Sequence, residues 1–274
     1  MPKYIVLLTH RREVELGELE RELNRHGVIF RREMPEENWL LNEVLFISDM
    51  EKVCHSLLEE GVAVLGWLSD ENRGADFSGI PYLIENLNEA EYTYLKKVYC
   101  RFHSLPWEIG ETKRCRIREM TPEDMEALYE IYEGEAMTRF TEGPYEDRER
   151  EKEYLQSYAQ NAYVFWGFGT WLIEDRENGL VIGQAGYNLR EGYEDPELGF
   201  AIRQECQGKG YAYEVCKAVL EIGKREYGFI RVQALVKQEN EASLKLLEKL
   251  GFTCIGPVTD REEPYLLYRK RLMN

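Results

Sequence analysis

Histidine is scarce in this chain and confined to its first part. His10, His26, His55 and His103 are the only four in 274 residues, so an imidazole base from the later residues is excluded. The six cysteines, at 54, 100, 115, 206, 216 and 254, form no CxxC pair and no Cys/His cluster. That pattern suits reduced core thiols in a cytosol better than disulfides or a zinc site, and no metal is expected. No apolar run approaches the roughly 18 residues needed to span a bilayer. The opening MPKYIVLLTHRREVE has only a five-residue apolar run, which reads as no secretory signal and gives a cytoplasmic expectation with no membrane partner. Low-complexity tracts and internal repeats are also lacking. Positive charge is in deficit: 35 Lys and Arg stand against 51 Asp and Glu, a net charge of −16. Residues 1–111 hold 12 basic and 21 acidic residues, and residues 112–274 hold 23 and 30. With both parts acidic, nucleic acid is not an expected partner, because phosphate contacts need a basic surface. An acidic field favours a cationic substrate such as an amine. What remains, 43% hydrophobic and 31% charged residues, is the composition of a globular protein long enough for two cores.

The most informative stretch is QGKGYA, residues 207–212. Two glycines two apart allow a tight turn and leave no side chain over the backbone amides. The strand-like ELGFAI (197–202) precedes them. A helical pattern over 211–227 follows, with Ala212, Val215, Cys216, Val219 and Ile222 on one apolar stripe. Strand, glycine turn and helix start form an anion cradle, in which several N–H donors and the helix dipole converge on a group such as a pyrophosphate. The loop is not a dinucleotide GxGxxG fingerprint, since Tyr213 stands at the third glycine, and no GK[ST] makes it a P-loop. An ordinary strand-to-helix turn is the competing reading.

Along the chain the expected fold class is α/β (α+β) in two domains, 1–111 and 112–274. In the first, strands are expected at 4–8, 44–48, 62–68 and 80–84, with helices over 14–26, 51–61 and 88–102, a small α/β layer with a parallel sheet. It resembles a reduced haloacid-dehalogenase-like or receiver-like domain. However, the DxDx[TV] nucleophile pattern is absent, and Asp49 after the second strand reads as a helix cap. No catalysis is assigned to it. Residues 104–114, SLPWEIGETKR, read as the joint. Beyond it, CRIREM (115–120) is a strand and Thr121-Pro122-Glu123-Asp124 a helix start. Helices over 121–133 and 147–163 frame a loop. Three strands then follow, with Asn178-Gly179 as a hairpin turn. The glycine-loop helix, a strand at 232–236, a short helix ending at Gly251 and two last strands complete the pattern.

Residues 115–272 resemble the GNAT superfamily of N-acetyltransferases in element order and motifs. QGKGYA matches its acetyl-CoA loop, [RQ]xxGx[GA], through Gln207, Gly210 and Ala212. NEASLKLLEKLGF (240–252) matches its second cofactor segment. With GTWLI, IGQAGY and ELGFAI, the set is most similar to the branch of ribosomal-protein-alanine acetyltransferases. The resemblance implies a mixed sheet flanked by helices, whose strands at about 197–203 and 231–237 splay apart. The pantetheine arm of acetyl-CoA then lies along Phe200, Ala201 and Ile202. The amides of Gln207, Gly208, Lys209, Gly210, Tyr211 and Ala212 hold the pyrophosphate. Asn240, Ser243 and Leu247 contact the cofactor from the opposite wall, Asn240 being also a helix N-cap.

The implied reaction is attack of a neutral amine on the acetyl thioester, for which a proton must be removed, directly or through water. Glu197 occupies the family's place for the base; its bland reading is a strand-end carboxylate. Relatives place a Tyr acid where Leu247 stands, so the acid is open among Tyr187, Tyr193, Tyr265, Tyr268 and Ser243. Cys206 and Cys216 read as packing residues. The acceptor side falls on 134–147 and 169–175, where Phe140, Tyr145, Tyr163, Phe165, Trp166, Phe168 and Trp171 crowd with acidic Glu135 and Glu142. Expected partners are a small-molecule amine or a peptide N-terminus, and a homodimer is compatible. The alternative is a non-catalytic acyl-CoA-binding regulatory module. A phosphatase or phospho-acceptor role for the first domain is disfavoured by the missing DxD.

Overall fold

Apolar runs without alternation mark strands covered on both faces, and three of them centre the first of two compact units, Met1–Trp107. The structure, a computed structural model, describes residues 1–11, 14–34, 40–141 and 143–273. The first unit runs β1 (Tyr4–Leu8), α1 (Gly17–Arg25), β2 (Ile29–Arg31), β3 (Val44–Ser48), α2 (Glu51–Glu59), β4 (Val64–Trp67), β5 (Leu83–Ile84) and α3 (Tyr92–Phe102). Its five strands lie in the order β2-β1-β3-β4-β5, every neighbouring pair parallel. β3 and β4 are buried at every residue. β2 is a strand the sequence pattern did not reveal, because its three residues, IFR, carry no run and lie at the sheet edge.

Asp49 does not cap α2, contrary to expectation. Met50 holds the cap position without a side-chain bond. Asp49 Oδ2 instead accepts from Thr9 Oγ1 at 2.9 Å and Arg11 Nε at 3.0 Å.

The second unit, Glu108–Asn274, contains β6 (Glu108–Glu111), β7 (Cys115–Glu119), α4 (Met125–Ile131), α5 (Glu135–Thr138), α6 (Arg148–Tyr158), β8 (Thr170–Asp175), β9 (Val181–Asn188), β10 (Glu197–Ile202), α7 (Tyr211–Glu226), β11 (Arg231–Val236), α8 (Glu241–Lys249), β12 (Thr253–Asp260) and β13 (Glu263–Arg271). Its eight strands lie in the order β12-β13-β11-β10-β9-β8-β7-β6. All pairs are antiparallel except β10 with β11. Part of the stretch read as a joint is therefore β6, a strand of the second unit. Its polar EIGE sequence and a register shift between Glu108 and Gly110 conceal it.

Thr121 and Asp124 form a reciprocal capping box with Pro122 inside the first turn, as the sequence requires. The long helix expected to 163 stops at Tyr158 and widens into a π-helical turn over Ala159–Trp166, ending at left-handed Gly167. Tyr158 and Tyr163 fasten this turn to the sheet. The Thr170 amide donates to Tyr158 Oη at 2.6 Å and the Met120 amide to Tyr163 Oη at 3.1 Å.

Two residues of β9, three apart and therefore on opposite faces, define the layers. Gln184 Nε2 donates to Tyr132 Oη, just past α4. Tyr187 Oη donates to the Val219 carbonyl of α7 at 3.0 Å. So α4 and α7 cover opposite faces of the sheet.

Candidate active site

The site begins at a fork between two strands. β10 and β11 are six residues each but share a single bridge, Glu197 with Gln233. A second bond beside it, from the Gln233 amide to the Pro196 carbonyl at 2.9 Å, closes the root of the fork. Beyond it the strands diverge, leaving the edges of Phe200, Ala201 and Ile202 without a ladder partner on β11.

The open end of the fork runs into the glycine loop. Gly208 and Gly210 both adopt left-handed backbone, φ +72° and +82°, which a side chain disfavours by about 1–2 kcal/mol. Gly210 is the N-cap of α7 and offers no side chain to the first-turn amides, so those donors face outward. Gln207 Nε2 donates to the Ile202 carbonyl at 2.9 Å, tying the loop to the end of β10. Lys209 is exposed and Ala212 half-buried. Tyr211 Oη donates to Asp175 Oδ2 at 2.7 Å, a bond that raises the phenol's pKa and lowers that of the carboxyl. Arg114, which the sequence did not single out, braces the loop. Its Nη1 donates to the Lys209 carbonyl at 3.0 Å, its Nε to Glu214 at 2.8 Å, and its guanidinium lies 4.0 Å from the Tyr211 ring centroid.

Across the fork, Asn240 caps α8, its Oδ1 accepting from the Ser243 amide at 3.2 Å. Both residues are half-buried. Leu247 is fully buried within the hydrophobic core, so its side chain is placed for packing and not for contact across the fork.

At the root, Glu197 is buried to within 8% exposure and both its oxygens are engaged. Arg190 Nε donates to Oε2 at 2.5 Å and Nη2 to Oε1 at 3.2 Å. Arg190 Nη1 also donates to Asp260 at the end of β12. Burial pulls the Arg190 guanidinium down, but Glu197 and Asp260 outweigh it and hold the group above its ordinary value. Neither Arg190, the partner of Glu197, nor Asp260, the second partner of Arg190, was singled out from the sequence. Seven and sixty-three residues from Glu197, they join its ion-pair cluster only through the fold.

The acid candidates separate. Tyr187 points into the α7 face, fully buried, and burial drives its pKa strongly upward. Tyr268 is buried too. Tyr265 is half-buried with Arg190 and Lys237 each 5.9 Å from its ring, which brings it toward the root of the fork. The Tyr193 amide donates to the Arg190 carbonyl at 3.2 Å. Cys206 and Cys216 are buried free thiols.

Of the acceptor-side aromatics, Tyr163, Phe168 and Trp171 are core, whereas Phe165 is 76% and Trp166 53% exposed. Tyr145 is exposed, Phe140 half-buried and Glu135 exposed; Glu142 lies outside the described residues. A cavity of about 890 Å³ is found in the first unit beside Arg11, Trp67 and Ser69, and contains none of the fork residues. Among the described residues no group of three His, Cys, Asp or Glu side chains could hold a metal ion.

Comparison with known proteins falls on the second unit. The acetyltransferase (GNAT) domain model matches residues 114–253. The uncharacterized N-acetyltransferase YoaA of Bacillus subtilis is 32% identical over 150 residues, 53% of this chain and 82% of YoaA. An acetyltransferase structure from Agrobacterium tumefaciens superposes with a TM-score of 0.51 at 24% identity, covering 59% of this chain and 93% of that one. RimL, a ribosomal α-N-protein acetyltransferase solved in complex with coenzyme A, superposes with a TM-score of 0.53 at 15% identity, covering 60% and 98%. At those identities the structural likeness bears on the fold.

Proposed function

The chain belongs to the GNAT acetyltransferase family, and from that premise we propose that it is an acetyl-CoA-dependent N-acetyltransferase acting on a primary amine, a peptide N-terminus or a small-molecule amine. The observation that carries the reading is the fork: one bridge between β10 and β11, opening onto two left-handed glycines and an uncapped helix start. RimL, whose fold the second unit shares, is solved with coenzyme A.

Acetyl-CoA supplies an acetyl group activated as a thioester. The chain's residues bind and orient it. Backbone of Phe200, Ala201 and Ile202 offers the free strand edge for the pantetheine amides. The amides of Gln207 to Ala212 face the pyrophosphate, with Arg114 and Gln207 holding the loop in shape. Asn240 and Ser243 form the opposite wall. Glu197 takes the proton from the acceptor nitrogen, and the buried ion pair with Arg190 keeps its carboxylate in one orientation. The acceptor is expected beside α4 and α5, on the face that Glu197 shares with Gln184 through the register of β9 and β10.

A non-catalytic acyl-CoA-binding module is the second reading, favoured by the engagement of both Glu197 oxygens with Arg190 and by Leu247 in place of a tyrosine.

The test is calorimetric titration with acetyl-CoA and with CoA, on the wild type and on Gly210→Glu, followed by thiol release with a panel of amines. Micromolar binding that the variant loses, with thiol released, is expected. Binding without thiol release for any amine selects the second reading. No binding by folded wild type sinks both.

A further inference from the structure

We propose that Gln233 is a positioning residue of the transferase site, its side-chain amide holding an ordered water against Glu197; this rests on the N-acetyltransferase reading above. Gln233 lies in β11 with no solvent exposure, yet neither Nε2 nor Oε1 has a hydrogen-bond partner among the described residues. A buried amide left unpaired forfeits its hydration without replacement, so such groups are rare and point to an unassigned guest.

The sheet register says where that guest sits. Gln233 pairs with Glu197 on one side and with Arg269 on the other. Directly paired residues project to the same face, from strands about 4.8 Å apart. The amide therefore stands in a row between a carboxylate and a guanidinium. The charged neighbours already have partners. Glu197 is held by Arg190 on the β9–β10 connection, and Arg190 by Asp260 of β12. Asp195 accepts from Arg231 Nε at 2.6 Å, and Arg269 Nε lies 3.4 Å from the same Asp195 oxygen, an ion-pair distance without hydrogen-bond alignment. The donor and the acceptor of Gln233 are left for a guest that is small and can both donate and accept. Water meets those terms in a closed polar site.

Such a water accepts from Gln233 Nε2 and donates to a Glu197 oxygen. The acceptor nitrogen then passes one proton to the water as the water passes one to Glu197. The carbon–nitrogen bond forms, the carbon–sulfur bond breaks, and the sulfur leaves as thiolate. The carboxylate ends as a carboxylic acid, so charge and protons balance. Glu197 can accept that proton while Arg190 spans both its oxygens, since each carboxylate oxygen has a second lone pair.

The experiment uses the full chain and two measurements. A crystal structure of the wild type at a resolution that shows waters is expected to place one within hydrogen-bond distance of both Gln233 and Glu197. Gln233→Leu, which keeps the volume and removes both polar atoms, is expected to bind CoA like the wild type and to unfold at no lower temperature. Its kcat is expected to fall by roughly 10²-fold, with the acid limb of the kcat/KM pH profile displaced. No water at that position overturns the proposal. So does a Leu variant with wild-type kcat and an unmoved pH profile, or one that merely loses activity in step with its folded fraction. Absence of thiol release by the wild type overturns the N-acetyltransferase reading and the relay with it, whereas absence of the water alone overturns only the role of Gln233.

Discussion

A carboxylate works as a base only where a lone pair faces the proton it must take, and at Glu197 the free directions are few. Arg190 occupies one on each oxygen and ties the pair to Asp260. If Glu197 carries the proton, Glu197→Gln keeps the hydrogen-bonding shape and removes the basicity. It is expected to lower kcat by about 10²–10⁴-fold with CoA affinity unchanged. Steady-state kinetics beside calorimetry checks this, and full turnover by the variant would remove Glu197 from the mechanism. Arg190→Gln is expected to act differently. It leaves the buried Glu197 and the half-buried Asp260 without the cation that bridges them, so the Glu197 side chain loses the partner that orients it. kcat is expected to fall with CoA affinity unchanged, Arg190→Lys is expected to retain more activity than Arg190→Gln, and steady-state kinetics beside calorimetry on the two variants reads the difference.

At the scale of elements, the start of α4 is fixed by one buried cluster. Arg118 donates to both oxygens of Asp124, at 2.8 and 2.7 Å, and also to Glu174 of β8, while the Thr121 amide and hydroxyl donate to Asp124 at 2.8 and 3.0 Å. Burial disfavours the ionised form of Asp124, but Arg118 and Thr121 outweigh it and hold the carboxyl below its ordinary value of 3.8. A depressed carboxyl stabilises the fold above its unfolded pKa and loses that contribution as pH falls through the folded value. Asp124→Asn is therefore expected to cost about 1–3 kcal/mol at neutral pH. The difference from wild type should shrink below about pH 4. Denaturant titrations at several pH values measure it, and a cost independent of pH would mean that the cap, not the charge, carries the stability. Thr121 and Asp124 were legible beforehand because a capping box is complete within four residues. The strand and glycine loop at 197–212 were legible for the same reason, since the chemistry that shapes them is local. β2 and β6 were not, being too short or too polar to show a period. Nor was the π-helical turn at 159–166, where contacts with Thr170 and Met120 override a helical pattern. Arg190, Asp260 and Gln233 gather around Glu197 only through the fold, which no spacing in the sequence reveals.

Over the whole molecule, charge is the property that acts beyond contact distance. The net charge is −16, and the acidic excess extends through both parts of the chain. No helix among the described residues is long and apolar enough to cross a membrane. A field of one sign attracts opposite charge and raises encounter rates by about 10–10³-fold where it is focused. It is screened beyond about 10 Å at 0.1 M salt. If the acceptor is a cation, its capture is therefore electrostatically assisted and salt-sensitive. Between about 0.01 M and about 1 M salt, kcat/KM for a polyamine is expected to fall by roughly 10-fold. For a peptide N-terminus flanked by acidic residues the same change should raise kcat/KM, because screening relieves repulsion. kcat should stay constant in both cases, since the field acts on encounter and not on the chemical step. Kinetics on the two acceptor types across that salt range decide it. A polyamine rate indifferent to salt would mean that the surface charge maintains solubility and selects nothing.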